Sequence, residues 1–142
     1  MSILLRYLLL SAFLFSSHLA IGQTQAQPDD GIITDAIPLT DGDSVKYFAT
    51  QVVSITGPVV GTGKTEGKDG VISFINMFRA WPETPFSITI YRQHLPFFAP
   101  IEQFEGKKVR VTGKVRQYGD KETGALRYSI SLRQPSQIEI LD

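Results

Sequence analysis

The sequence lacks cysteine altogether and has only two histidines and one tryptophan among its 142 residues. Without cysteine the chain has no disulfide framework, no thiolate metal ligand, no cysteine nucleophile and no cysteine-linked lipid. It also lacks an excess of charge, because 14 Lys and Arg residues balance 14 Asp and Glu residues. The composition therefore gives no reason to expect bulk attachment to nucleic acid. The length favours a single domain.

Sequence motifs of catalysis are also missing. There is no Gly-x-Ser-x-Gly elbow, no His-Glu-x-x-His motif and no His-x-Glu zinc motif. Gly61-Thr62-Gly63-Lys64-Thr65 ends like a phosphate-binding loop, but Pro58 occupies the position of the required first glycine. Asp41-Gly42-Asp43-Ser44 resembles the start of a calcium loop, but Val52 stands where the twelfth-position carboxylate would be. We therefore expect no catalytic residues, no metal site and no cofactor.

The N-terminal residues 1–22 have the pattern of a secretory signal peptide. A basic n-region precedes an apolar stretch over residues 7–15, and Ala20 and Gly22 place small side chains at −3 and −1 of a cleavage site. A second possible cleavage site follows Ala26. The apolar stretch is shorter than the roughly 20 residues that a membrane-spanning helix needs. We predict a periplasmic or secreted protein with a linker over residues 23–44 and one domain over residues 45–142.

From residue 45 onward, apolar and polar residues mostly alternate with the period of a β-strand. The predicted strands are 51–64, 71–78, 86–92, 107–118 and 126–133, with a last extended segment over 137–141. Residues 100–104 predict one short helix with Pro100 in its first turn. Three strands, a short helix and two strands is the order of an all-β, five-stranded Greek-key OB barrel. The alternative, a β-sandwich, would have about seven strands and no such helix.

Several short segments within residues 45–142 resemble a known family. They are Phe74-Ile75-Asn76-Met77, Trp81-Pro82, residues 85–90, Phe97-Phe98, residues 105–115 and Pro135-Ser136-Gln137-Ile138. In these segments the chain resembles small exported bacterial OB-fold proteins that are commonly described as nucleic-acid- or DNA-binding. The resemblance implies an OB barrel with single-stranded nucleic acid as its partner. The chain departs from the family's pattern at residues 118–124, where a longer acidic loop flanks the usual OB groove.

Basic and aromatic residues of the predicted barrel form the candidate binding site. OB folds bind single strands by stacking bases on aromatic rings in a positively charged groove, at ~1–3 kcal/mol per stacked base. In the last two barrel strands, basic residues alternate with apolar ones and would face outward. The candidate ligand-binding residues are Asn76, Trp81, Tyr91, Arg110, Lys114, Arg116, Tyr118, Arg127 and Arg133. We expect Phe74, Phe78 and Phe86 in the core.

The sequence leaves other interpretations open. The basic strand faces are also explained by protection against edge-to-edge aggregation, with no ligand at all. An exported barrel could instead hold an envelope protein, a glycan or a small ligand in a groove lined by Trp81 and Tyr91. An enzyme has the least support, because the second and third predicted strands contain no acidic residue. The leading hypothesis is a non-enzymatic OB-fold module that binds single-stranded oligonucleotides.

Overall fold

Seven β-strands and four short 3₁₀ helices make up residues 36–141, which are the residues that the computed structural model describes. The strands are β1 (Ile37–Leu39), β2 (Val52–Gly67), β3 (Gly70–Met77), β4 (Phe86–Tyr91), β5 (Lys108–Gly119), β6 (Leu126–Leu132) and β7 (Ile138–Leu141). The 3₁₀ helices are η1 (Asp43–Phe48), η2 (Leu95–Phe97), η3 (Ile101–Phe104) and η4 (Pro135–Gln137). The predicted signal peptide and the predicted linker up to residue 35 lie outside the described residues. No helix in the described part is long and apolar enough to cross a membrane.

Five of these strands close into a barrel. Strand β2 pairs with β3, β3 with β4, β6 with β5, and β5 returns to β2, all antiparallel. Strands β4 and β6 pair in parallel. In this closed order the third and fifth barrel strands, β4 and β6, are parallel neighbours, and all other neighbours are antiparallel. This is the Greek-key arrangement of an OB barrel. The predicted all-β OB barrel is confirmed, with β2 to β6 as its five strands.

The long strand β2 closes the barrel because its two halves have different partners. The first half, residues 52–58, pairs with β5, whereas the second half pairs with β3. The register shifts between Val59 and Gly61, just after Gly57 and Pro58, which are residue types that favour a bulge or bend within a strand. Gly57 makes room for a neighbouring ring, because a Cβ at this position would overlap the ring of Phe78.

Two short strands extend the sheet beyond the five of the barrel. Strand β1 pairs in parallel with β2, and its residue Leu39 is buried. Strand β7 pairs with β5 and occupies the extended segment predicted over residues 137–141. The domain's sheet therefore begins at Ile37, before the boundary predicted at residue 45, because these apolar side chains pack on the core. The helix predicted at residues 100–104 is η3, and η2 precedes it as a second helical turn.

The phenylalanines of the second and third barrel strands lie in three different environments. Phe86 is buried in the core, as predicted. Phe74 is only partly buried and faces outward, because Ile75 and its alternate neighbours take the inward positions of β3. The prediction that Phe74 belongs to the core is therefore wrong. Phe78 follows the strand with a φ of 70°, and its ring packs against the core from there.

Candidate nucleic-acid interface

Strand β5 has a first half, residues 108–114, that pairs with β2 and a second half, residues 115–119, that pairs with β6. The outward side chains of β3, β4, β6 and the second half of β5 form one continuous surface, which we call the outer face. Strand pairing places their residues in rows across the sheet. One row runs from Asn76 through Ser87 and Ser129 to Arg116. The outer face comprises Ile72, Phe74, Asn76, Ser87, Thr89, Tyr91, Arg116, Tyr118, Arg127, Ser129 and Ser131, with Arg133 directly after β6.

Short hydroxyl side chains form the floor of the outer face. Ser87, Thr89 and Ser129 point outward yet are only 4–5% exposed, because larger neighbours stand around them. The Oγ of Ser87 donates a hydrogen bond to Asn76 Oδ1 at 2.8 Å, and Thr89 Oγ1 and Ser131 Oγ share one of 2.9 Å. The floor is therefore low, polar and fixed by hydrogen bonds. The amide nitrogen of Asn76 remains available to donate to a ligand.

Two glycines of β2 keep the adjoining edge of the outer face open. Gly61 pairs with Asn76, and Gly63 pairs with Phe74. A Cβ added at either glycine would meet no atom within 4 Å. Both glycines lie in the predicted first strand, as the rejection of a phosphate-binding loop requires. Glycine in a strand allows a ligand to approach the backbone closely, so this edge is accessible beside Phe74.

Tyr91 and Tyr118 are the two tyrosines of the outer face. Burial raises the pKa of the Tyr118 hydroxyl, Asp120 and Tyr91 raise it further, and Arg127 opposes them. Both tyrosines can present a ring for stacking and a hydroxyl for hydrogen bonding.

Trp81 joins the outer face through Arg127. The guanidinium of Arg127 lies 4.7 Å from the centre of the Trp81 ring, which is a cation–π distance. Its Nη1 donates a hydrogen bond of 2.8 Å to the Pro82 carbonyl, and its Nε lies 3.5 Å from Asp120 Oδ2. The side chain of Arg127 is only 17% exposed. Arg127 is therefore largely engaged within the protein.

The acidic loop between β5 and β6 is less acidic toward a ligand than its sequence indicates. Oδ1 of Asp120 accepts hydrogen bonds from the backbone amides of Glu122 and Thr123 at 2.9 and 3.0 Å. These amides hold the pKa of the Asp120 carboxyl below its usual value, because they stabilise the charged form. The carboxylate is 10% exposed and its other oxygen is directed at Arg127. Its charge is thus compensated inside the loop.

Arg110 and Lys114 lie outside the outer face, although Lys114 is the outward residue next to Arg116 on β5. They belong to the first half of β5, where Arg110 pairs with Thr56 and Lys114 with Val52 of β2. Arg110 also forms an exposed ion pair of 3.2 Å with Glu139 of β7. The structure brings the remaining candidates together, on or beside the outer face. They are Asn76, Trp81, Tyr91, Arg116, Tyr118, Arg127 and Arg133.

The outer-face residues that the sequence interpretation missed are mostly small. They are Ile72, Phe74, Ser87, Thr89, Ser129 and Ser131. A two-residue period places Phe74 on the same side of β3 as Asn76, and this signal was sufficient to assign it to the outer face. The alternation of hydroxyl residues with isoleucine along β4 gives a similar signal for the floor.

The outer face offers stacking surfaces, hydrogen-bond donors and positive charge, and it includes no carboxylate. Among residues 36–141, no three His, Cys, Asp or Glu side chains are grouped in a way that could hold a metal ion. The arrangement suits the recognition of planar rings and anionic groups. It does not present a nucleophile beside a general base.

Comparisons with known proteins give similarity in solved structures alone. No protein-family model and no curated protein matches the chain. It is similar to a crystal structure of yeast Stn1 and Ten1, with 15% identity, a TM-score of 0.48, and coverage of 78% of this chain and 65% of that one. It is also similar to the aspartyl-tRNA synthetase from Entamoeba histolytica, with 14% identity, a TM-score of 0.45, and coverage of 82% of this chain and 23% of that one. A third similar structure is the Plasmodium falciparum SSB complex with ssDNA, with 15% identity, a TM-score of 0.41, and coverage of 64% of this chain and 94% of that one.

Proposed function

We propose that the chain is an exported, non-enzymatic OB-fold module that binds single-stranded nucleic acid across its outer face. The observation that carries this proposal is the convergence of aromatic rings and exposed arginines around one low, hydrogen-bonded floor. Single strands present unpaired bases that stack on aromatic rings and phosphates that attract arginine. No acidic residue belongs to the outer face, so the surface has no carboxylate that would repel phosphate.

Phe74 and Tyr91 are the central stacking residues of the proposal. Phe74 lies opposite Thr89, and Tyr91 is the next outward residue of β4. Their backbones are therefore diagonal neighbours, about 7–8 Å apart. Long aromatic side chains reach one another at this separation, so the two rings can contact adjacent bases of one strand.

Arg116 and Arg133 are the proposed phosphate contacts. Both are exposed, and neither forms a salt bridge with another described residue. Arg116 lies at the end of the row that begins at Asn76, and Arg133 continues β6 beyond Ser131. Each phosphate neutralised on a single strand contributes a salt slope of about 0.7 through counterion release. Binding should therefore weaken steeply as salt is added.

An envelope glycan is the second candidate ligand for the same face. The floor of Ser87, Thr89 and Ser131 beside exposed rings also suits a sugar, whose hydroxyls form hydrogen bonds and whose ring packs on aromatics. The balanced net charge of the chain favours a neutral ligand as well. Such a ligand displaces few counterions, so salt would hardly change its affinity.

The experiment that tests the proposal is a salt series of fluorescence anisotropy titrations. Labelled single-stranded DNA and RNA of about 12 nucleotides, within the ~4–16 range of OB folds, are titrated with the purified protein. We expect salt-dependent binding whose slope falls by about 0.7 for each arginine removed in R116A/R133A. The charge-matched control K108A/K114A alters the first half of β5 and should leave the slope unchanged. Absence of binding at low salt would overturn the proposal.

Export is the part of the proposal that residues 1–22 support. Cell fractionation followed by N-terminal sequencing tests it independently of ligand binding. We expect the protein in the periplasm or medium, with its first residue after position 22. Recovery of an uncleaved chain from the cytoplasm would contradict export.

A further inference from the structure

Trp81 is the single tryptophan of the chain, and it lies in the loop between β3 and β4. Its residue is 56% exposed even though a buried indole would contribute more to stability. The guanidinium of Arg127 covers the ring at 4.7 Å, so the exposed area belongs to the rest of the indole. The ring is thus held beside β6 while much of its surface is presented to solvent.

Arg127 holds this ring from a fixed position. Its Nη1 donates a hydrogen bond to the Pro82 carbonyl, next to Trp81, and its Nε lies 3.5 Å from Asp120 Oδ2 as an ion pair without a hydrogen bond. Asp120 is fixed in turn by the amides of Glu122 and Thr123. Two separate loops are therefore tied together through one guanidinium.

We propose that Trp81 is a base-stacking platform at the end of the outer face and that Arg127 is a positioning residue that holds it. This inference rests on the proposed function, because its occupant is a base of the same single strand. The outer face continues to Trp81 through Arg127, which lies in register with Tyr118. A strand crossing Phe74 and Tyr91 can therefore place a further base on the exposed indole.

The charge of Arg127 is less available to a phosphate than that of Arg116. Arg127 is 17% exposed and has the Asp120 carboxylate beside it. Arg116 is exposed and has no carboxylate partner among the described residues. Removing Arg127 should therefore weaken binding through misplacement of Trp81, without changing the number of counterions released.

The single tryptophan allows a direct test. Unlabelled oligonucleotide of about 12 nucleotides is titrated into the protein while Trp81 emission is recorded, and anisotropy is measured in parallel with labelled oligonucleotide. We expect quenching that saturates together with the anisotropy change. W81A should lower affinity about 5- to 150-fold, the range for loss of one stacked base. The control Y47A removes an exposed aromatic on η1 that is not part of the outer face.

The arginine is tested by comparing affinity with salt slope. R127A should lower affinity while the slope stays at the wild-type value, and R127K should restore part of the affinity. Trp81 emission of the unbound R127A protein should also shift, because the ring loses its cation. A thermal melt of each variant checks that the barrel is folded. A slope reduced by about 0.7 in R127A would show a phosphate contact and overturn the positioning role.

The outcomes separate this inference from the proposed function. If the oligonucleotide binds without changing Trp81 emission, and W81A binds it with full affinity, Trp81 is not a stacking platform. The outer face then still stands as the binding site. Absence of binding by anisotropy overturns both. Quenching with weaker binding by W81A, and normal binding by Y47A, supports the platform.

Discussion

The two halves of β5, residues 108–114 and 115–119, lie in different surroundings. In the first half, Arg110 is paired with Glu139 of the edge strand β7. In the second half, Arg116 lies opposite Ser129, next to the hydroxyl floor of the outer face. The inward residues Val109, Val111, Gly113 and Val115 are buried, whereas Gln117 and Gly119 near the end of the strand are exposed. The period of a strand thus determines which side a residue faces, while the neighbouring strand determines what that residue can bind.

The largest expected effect is the loss of oligonucleotide affinity when Arg116, in the second half of β5, is replaced. Arg116 and Lys114 are successive outward residues of β5, so R116A and K114A are matched changes on one strand. R116A should weaken oligonucleotide binding by about tenfold or more, the scale of one charge-assisted contact of roughly 1.5–3 kcal/mol. K114A should change affinity by less than about threefold, as an exposed charge with little interaction does. Equal losses in anisotropy titrations would abolish the distinction between the halves.

Val111 and Val115 should contribute equally to stability, although they lie in different halves of β5. Val111 and Val115 are 0% and 1% exposed, one in each half. Replacing either by alanine should lower the free energy of unfolding by about 2 kcal/mol, from lost apolar burial and the cavity left behind. Urea unfolding measures both variants. If only one half were sensitive, the interior of the barrel would not be uniformly packed.

Changes at the open edge of the outer face should have opposite effects on stability and binding. A valine at Gly61 or Gly63 would meet no atom within 4 Å of its Cβ. Because β-branched residues favour strands over glycine, G61V and G63V should raise the free energy of unfolding by about 0.5–1 kcal/mol. The same side chains would block ligand approach beside Phe74 and weaken binding. Unchanged affinity with raised stability would place the ligand elsewhere.

The smallest expected effect is the pH dependence of stability that comes from Asp120, in the loop that follows β5. Amides of Thr123 and Glu122 lower the pKa of Asp120 from its usual 3.8. A depressed pKa in the folded state contributes stability above the unfolded value, and this contribution is lost as pH falls through the folded value. Below about pH 4, the free energy of unfolding should therefore fall less for D120N than for the wild-type protein. Urea unfolding at several pH values checks this, and parallel curves would argue against the loop as described.

Much of the fold followed from local pattern. Two-residue alternation predicted the barrel strands, and the order of strands and helix predicted the OB arrangement. The short strand β1 was harder, because Ile37 and Leu39 lie among polar residues and acquire a role only by pairing with β2. Phe74 was wrongly assigned to the core because its hydrophobicity was given more weight than its position two residues before Asn76, which places both on the same side of β3.

The candidate site depended on contacts between distant parts of the sequence. The parallel pairing of β4 with β6 brings Ser87 to Ser129, and no local signal specifies that register. The engagement of Arg127 by Pro82 and Asp120 is likewise invisible in a sequence of alternating residues. Arg110 and Lys114 were grouped with Arg116 because alternation alone gives all three the same side of a strand.

The most direct test of the central claim is an NMR titration of the isotopically labelled protein with unlabelled single-stranded DNA. Amide shifts report which half of β5 meets the ligand without any substitution. We predict perturbations at β3, β4, β6 and residues 115–119 of β5, and none at β1, β7 or residues 108–111. Perturbations centred on β7 and the first half of β5, or no perturbation at low salt, would contradict the account.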